Sequence, residues 1–388
     1  MPVAIVSGAL ANKPFNGGEA WVRLSWALGL RRLGFDVCFV EQLSSDDCVD
    51  GRGEPAGFAA SANRAFFDAV VRDFGLEGQA GLLCDGGRES SGLGLAEIRE
   101  RAAGADLLVN VSGHLTIGEI IAGPRTRLYL DLDPGFTQAW HADPGLGFEI
   151  AGHDHYATVG LNVGRPGCLI PDCGIRWIPT LPPVLLEEWP VAPLPAGPPR
   201  FATVASWRSP YGQLELDGRT MGLKHHQFRR LIELPERAGG ARFELALEIH
   251  PGDDADRQAL EEHGWAIAAP RSVAATPQAF RDYVSASAAE FSVAQGVYAE
   301  SGSGWFSDRT AAYLASGRPV LVQDTAIGAE LTPGEGMLTF STLEEAVTGA
   351  ERITANLPAN AAAARRFAEQ HLDSDLVIGG LLAAIGLE

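Results

Sequence analysis

Acidic, basic and glycine-rich residues cluster at a few points of this 388-residue chain, and each cluster suggests a chemistry. The densest is AESGSGWFSDRTAAYLASGRPVLVQD, residues 299–324. Ser301, Gly302, Ser303 and Gly304 read as a flexible turn whose backbone N–H groups, added to the positive partial charge of a helix start, cradle a phosphate. Ser307 and Asp308 open that helix, with a plain N-cap as the other reading. Gly317 closes it, and Pro319 leads into a buried strand. Arg208 follows an apolar run, and Lys224 heads a helix with His225 and His226. If they converge, a planar guanidinium fork and a point-charge ammonium together offset a diphosphate. In SGALANKPFNGGEAW, Gly17 and Gly18 precede Glu19 and let the backbone approach a ligand at a helix start, or simply make a turn. The glycine spacing fits neither a dinucleotide fingerprint nor a P-loop.

Three further groups stand just past apolar runs. His114, in NVSGHLT, is placed to take a proton from a hydroxyl or to hydrogen-bond a sugar; the alternative is a bond to a neighbouring loop. Asp131 and Asp133 alternate on a strand, so their carboxylates share a face, suited to a base, a metal or the capping of a turn before Pro134. His153, Asp154 and His155 offer two imidazoles on one strand face without an evident third ligand, so no metal is expected. Five scattered cysteines read as free thiols in a reducing compartment.

Positioning these groups requires a regular scaffold. Short apolar runs near 3–7, 35–42, 105–111, 127–133 and 155–160 alternate with helical patterns, among them EAWVRLSWALGLRRLG. Strand, crossover helix, strand is the pattern of a doubly wound parallel sheet. Seven prolines between Leu181 and Arg200 interrupt it, which reads as an extended linker or a surface loop. The alternation then restarts: strands near 201–207, 242–250, 264–270, 289–295 and 318–324, a helix over 224–239, and three helices at the end. The expected organisation is a first doubly wound domain over 1–185, a linker over 186–200, a second domain over 201–365 and a C-terminal helix over 366–388 that packs back on the first. Ligands of such sheets lie beyond the carboxyl ends of the strands, so both sets of ends should face one cleft.

Composition narrows the function. Hydrophobic residues make up 46% and charged residues 20%, an ordinary globular balance. Glycine, 46 residues, is in excess and fits many tight turns. The net charge of −19 repels phosphate backbones and anionic lipid, which argues against nucleic-acid and membrane-surface partners. No run of about 18 apolar residues and no basic, apolar leader is present, so a cytoplasmic protein is expected. Oligomeric state is not legible.

The 299–324 stretch resembles the C-terminal nucleotide-sugar motif of GT-B glycosyltransferases, in which a Gly-rich turn, a helix and a small-Gly-x-Pro-Val strand follow in order. The likeness is closest to the bacterial retaining type and includes Arg309-Thr310-Ala311-Ala312-Tyr313-Leu314-Ala315-Ser316-Gly317. The Gly17-Gly18 loop and the Arg208–Lys224 arrangement are similar to that superfamily too. The retaining pattern carries two Glu eight residues apart. Anchored on Gly317-Arg318-Pro319, those positions hold Gly304 and Ala312, while Glu300 and Asp308 keep the spacing four residues upstream. The resemblance implies two Rossmann-like domains facing across a cleft, with a nucleotide-diphosphate sugar as co-substrate and a small-molecule acceptor. It implies donor contacts from Gly17, Gly18, Arg208, Lys224, the 301–304 turn, Ser307 and Arg309. Catalytic duty falls to His114, Asp308 and Glu300, and acceptor contacts to Glu19, Asp131, Asp133 and His153, without a metal or bound cofactor. The rival is a nucleotide-sugar epimerase or a binding protein that no longer transfers.

Overall fold

Runs such as VAIVS and AGLLC have no polar face, because strands sandwiched between two helical layers are buried on both sides. In the computed structural model they assemble into two sheets. The structure describes all residues except 144, 146–149, 209–210 and 388. The first sheet comprises β1 (Val3–Ser7), β2 (Asp36–Leu43), β3 (Ala80–Cys84), β4 (Glu89–Gly92), β5 (Leu107–Val111), β6 (Thr126–Asp131), β7 (His155–Thr158) and β8 (Trp177–Pro179). Their order is β4-β3-β2-β1-β5-β6-β7-β8, parallel throughout except for β4, which pairs antiparallel with β3. After β9 (Arg200–Ser206) comes a small hairpin of β10 (Glu215–Leu216) and β11 (Arg219–Thr220). Its turn uses Asp217 and Gly218, both at positive φ, the geometry that a two-residue hairpin loop needs. The second sheet adds β12 (Arg242–Glu248), β13 (Ala266–Ala268), β14 (Ala289–Ser292), β15 (Val320–Gln323) and β16 (Met337–Phe340) to β9. It is wholly parallel, in the order β13-β12-β9-β14-β15-β16.

Both sheets therefore reverse direction once, between β1 and β5 and between β9 and β14, and a crevice opens at each reversal. One apolar cluster continues from the first sheet into the second half through Trp21, Trp189, Phe280, Phe306 and Tyr313. A separate core, with Phe201, Phe243, Phe291 and Trp265 at its centre, belongs to the second half.

The helix expected over 224–239 is broken into Lys224–Arg230 and Leu234–Arg237, since the ring of Pro235 cannot continue the first helix. The proline-rich stretch is extended: among the described residues, 181–199 hold no helix or strand. Side chains pin it in place. Arg318 is fully buried and donates to the carbonyls of Pro193 and Ser285 at 3.0 and 2.7 Å. Arg281 meets Glu188 at 2.8 Å. The final helix, Ser374–Ala384, lies against the first, Gly17–Arg32. Arg32 pairs with Asp375 at 2.8 Å, and Gly29 leaves the room that Ile378 occupies. The five cysteines are free. Among the described residues no helix is long and apolar enough to cross a membrane.

Candidate active site between the two halves

At the first crevice Ser7 and Asn110, on neighbouring strands, are joined by a 2.7 Å hydrogen bond. The loop leaving β1 is held by Glu41 at the end of β2. Its carboxylate accepts from the backbone N–H groups of Leu10, Ala11 and Asn12, each at 2.8 Å. Burial pushes Glu41 up to about 7 in spite of those donors. Arg23, also buried, passes beneath the loop where Gly8 has no Cβ to obstruct it. It forms an ion pair with Glu19, which also faces Lys13 at 3.5 Å. Burial opposes ionisation of Glu19, but the two cations outweigh it and hold its pKa at about 2. His114 stands past β5, after Ser112 and Gly113, both at positive φ. Burial, and then the charges of Arg23 and Lys13, push it down to about 4, so the imidazole is neutral at pH 7.

At the second crevice the guanidinium of Arg309 spans β9 and β14. It donates to the Val204 carbonyl at 2.9 Å, to Glu290 at 2.7 Å and to the Ser292 hydroxyl. Glu290 is fully buried, and this pairing is what permits a carboxylate there. Arg309 lies in the first turn of the helix Asp308–Ala315, whose N-cap residue, Ser307, makes no side-chain cap. Lys224 begins the helix Lys224–Arg230; burial, and then Arg309, lower its pKa to about 8, against the pull of Asp133, Asp308 and Glu19. Asp308 is exposed at the helix start, and partial desolvation by its surroundings, then Glu19, raise it to about 6. Asp133 is also raised to about 6, by burial and by Asp131, although Tyr298 donates to it at 3.0 Å.

These couplings cross the molecule. Lys224 and Asp308 belong to the second half and feel Glu19, while Asp133 and Lys13 come from the first. Charged groups of the two halves therefore act on one another: Glu19 and Asp133 of the first on Lys224, and Glu19 on Asp308 of the second. A pocket lined by Ser292, Phe306, Thr310, Gln323 and Thr325, among others, opens beside the helix start at the ends of β14 and β15.

Other expected residues have different employment. The Ser301–Gly304 turn is not an open cradle. The Ser301 and Ser303 hydroxyls donate to the Val297 and Tyr298 carbonyls. The Ser303 and Gly304 N–H groups bond Tyr298 and Thr325, and Asn162 and Leu169 of the first half occupy the turn's carbonyls. Gly17 is pressed onto backbone rather than open to a ligand: a Cβ there would lie 2.0 Å from the Thr276 carbonyl oxygen, while one on Gly18 would touch Phe280. Arg208, largely exposed, makes a two-pronged ion pair with Asp253, both contacts at 2.6 Å, and does not join Lys224. Glu300 is exposed and accepts from Gln227 at 2.8 Å. Asp131 is fully buried and spends its carboxylate on Thr137, Gln138, Thr158 and the Asp133 N–H, a structural role. His153 donates from Nδ1 to the Ile150 carbonyl and accepts at Nε2 from Asn110.

Lys13, Arg23, Glu41 and Tyr298 were not singled out from sequence. The readable signal was charge inside apolar patterns: Glu41 in FDVCFVEQ and Arg23 in AWVRLSW, where an ionised group survives only with partners.

No family model matches the chain, and no curated protein matches it by sequence. Its shape does match solved structures. Anabaena HepE, solved with UDP-glucose, superposes with a TM-score of 0.58 at 12% identity, covering 99% of this chain and 100% of HepE. Sucrose-phosphate synthase from Thermosynechococcus elongatus gives 0.52 at 14% identity, covering 99% of each chain. A Listeria monocytogenes protein described as a UDP-N-acetylglucosamine 2-epimerase gives 0.50 at 12% identity, covering 99% of this chain and 96% of that one. The chain has the GT-B fold, two Rossmann-like domains facing across a cleft.

Proposed function

We propose, taking the GT-B fold as premise, that this chain is a glycosyltransferase moving a sugar from a nucleotide-diphosphate donor to a small-molecule acceptor, with protein cations rather than a metal ion offsetting the leaving diphosphate. The observation that carries this reading is an uncapped helix start at the strand ends of the second sheet, with Arg309 fixed beside it by Val204, Glu290 and Ser292 and with Lys224 in the field of Arg309, Asp133, Asp308 and Glu19. Such a start and an ammonium form an anion site. Arg309 has its donors engaged and contributes a fixed charge. The nucleoside would enter the pocket beside Gln323 and Thr325. That HepE was solved with UDP and with UDP-glucose supports a nucleotide sugar as ligand.

In the transfer, the bond between the anomeric carbon and the diphosphate oxygen breaks and its electron pair leaves with the phosphate. Lys224 meets the charge that develops there. The acceptor oxygen bonds to the anomeric carbon, and its proton passes to a carboxylate, Asp308 or Asp133. Neutral His114 is free to hydrogen-bond the sugar. Calorimetry with a panel of nucleoside diphosphates, followed by nucleotide release from the matching sugar nucleotide with and without acceptors, tests this. Acceptor-dependent release is expected; no binding of any nucleoside diphosphate overturns it. The epimerase-like neighbour favours a second reading, conversion of the donor with no acceptor, which the acceptor-free arm detects.

A further inference from the structure

In LLVNV, the run that forms β5, Asn110 is the one polar residue, and it is fully buried. It stands near the carboxyl end of its strand where the first sheet reverses direction, the place at which such sheets open to a ligand. A primary amide has two acceptor lone pairs and two N–H donors, and here all four are engaged. Oδ1 accepts from the Ser7 hydroxyl at 2.7 Å and from the Leu115 N–H at 3.2 Å. Nδ2 donates to the Leu115 carbonyl and to Nε2 of His153, each at 3.1 Å. One side chain therefore holds both backbone groups of a residue further along the chain.

The segment between them makes a costly turn. The Ser112 N–H still pairs with the Leu130 carbonyl of β6 at 2.7 Å, and the backbone then turns left-handed twice, at Ser112 (φ 52°) and Gly113 (φ 67°). Glycine enters that region freely; serine does so at a cost, and the surroundings must over-determine it. His114 comes next, its N–H reaching back to the Val111 carbonyl at 3.3 Å. On its far side Thr116 is tied to Gln42, the N–H donating at 2.9 Å and the hydroxyl accepting at 2.7 Å. The imidazole thus stands on a short, strained loop closed at its base by an amide. Four bonds exchanged for bonds to water add little net stability, but a fully satisfied buried network specifies one geometry.

We propose that Asn110 is the positioning residue of His114: its grip on Leu115 fixes the left-handed turn and so sets where the imidazole meets the sugar of the donor. This rests on the transferase reading and adds to it a buried residue that does not touch the substrate. The competing cause is the Leu115 side chain, which is buried in the apolar cluster of Ile5 and Val40.

The test is NMR of the full chain with labelled histidines, the His114 ring signal being identified by its loss in His114→Ala. In the native chain it should titrate near 4. Asn110→Leu leaves both groups of Leu115 unpaired, so the loop should open and the imidazole gain water. Its midpoint should then rise by about one pH unit or more, a tenfold change in the protonation equilibrium. Should that variant not fold, Asn110→Ser, too short to span both groups, replaces it. Leu115→Ala keeps the amide bonds and should move the midpoint far less. An unmoved His114 in the Asn110 variant, or a larger movement in Leu115→Ala, overturns the proposal. Calorimetry gives a second readout. The Asn110 variant should bind UDP as the native chain does and UDP-glucose about fivefold more weakly, the worth of one neutral hydrogen bond. Undiminished UDP-glucose binding, or an equal loss of both ligands, also overturns it. If the native chain binds no nucleoside diphosphate while His114 still moves, the grip on His114 stands and the transferase reading, with the sugar, falls.

Discussion

Asp133 of the first half and Asp308 of the second are both raised to about 6, chiefly by desolvation. A carboxyl at that value is ionised above pH 6, yet is a stronger base than an exposed aspartate. Lys224, lowered to about 8, carries its charge only below that pH. We therefore expect kcat/KM to be bell-shaped, falling as pH drops through about 6 and the carboxylates gain protons, and falling again above about 8 as the ammonium is lost. A flat profile between pH 5 and 9 would show that these groups are not the ones titrating in the reaction. The two cations legible from sequence separate in the structure. Lys224→Ala should weaken nucleotide binding about tenfold to a hundredfold, the worth of one charge-assisted bond. Arg208→Ala should change it less than threefold, because that guanidinium already balances Asp253 at the surface. Calorimetry on the two variants decides. The residue types of the site were readable in the chain, but the partner of each was not. Arg208 and Asp253 are 45 positions apart, and nothing local says that they meet.

Elements were legible where burial leaves a pattern. Most of the parallel strands are apolar runs because both their faces are covered, but β3, AGLLC, and β8, WIP, are parallel strands outside the expected runs, too short for a period of their own. β4, ESSG, escaped because only one of its four residues is buried, and β16 because four residues give too little period. Close contacts between elements were not legible, and glycine is where they show. A Cβ on Gly17 would enter the Thr276 carbonyl, and one on Gly296 would stand 2.3 Å from the Gly222 carbonyl oxygen. Backbone cannot step aside as a side chain can. Gly17→Ala should destabilise the protein by about 1–3 kcal/mol, the usual cost of overpacking, visible in thermal unfolding. Gly296→Ala displaces the segment that carries Lys224, so nucleotide affinity should fall with a smaller loss of stability. Unchanged affinity would mean that the 222–224 segment is not what positions the ammonium.

At the scale of the whole molecule, the halves are joined by a polar seam as well as by a shared apolar cluster. Asn162 donates to the carbonyls of Gly302 and Ala326, both at 3.0 Å, and its N–H bonds Ser303. Asn162→Ala should cost about 2 kcal/mol, near 1 for each side-chain bond lost. Hydrogen exchange should also quicken at residues 301–305 before it does in the sheets. Protection unchanged across that turn would show that the seam does not hold it. The expected phosphate cradle is instead a strut: the Tyr298 and Thr325 carbonyls take the Ser303 and Gly304 N–H groups, and the seam takes the turn's carbonyls. Two doubly wound sheets, the extended stretch between them and the kinds of charge at their strand ends are written in local order, because periodicity, proline and glycine act within a few residues along the chain. Which charges of the two halves act on one another and which glycines serve packing emerge on folding, because they follow from distances between residues that the chain keeps tens to hundreds of positions apart.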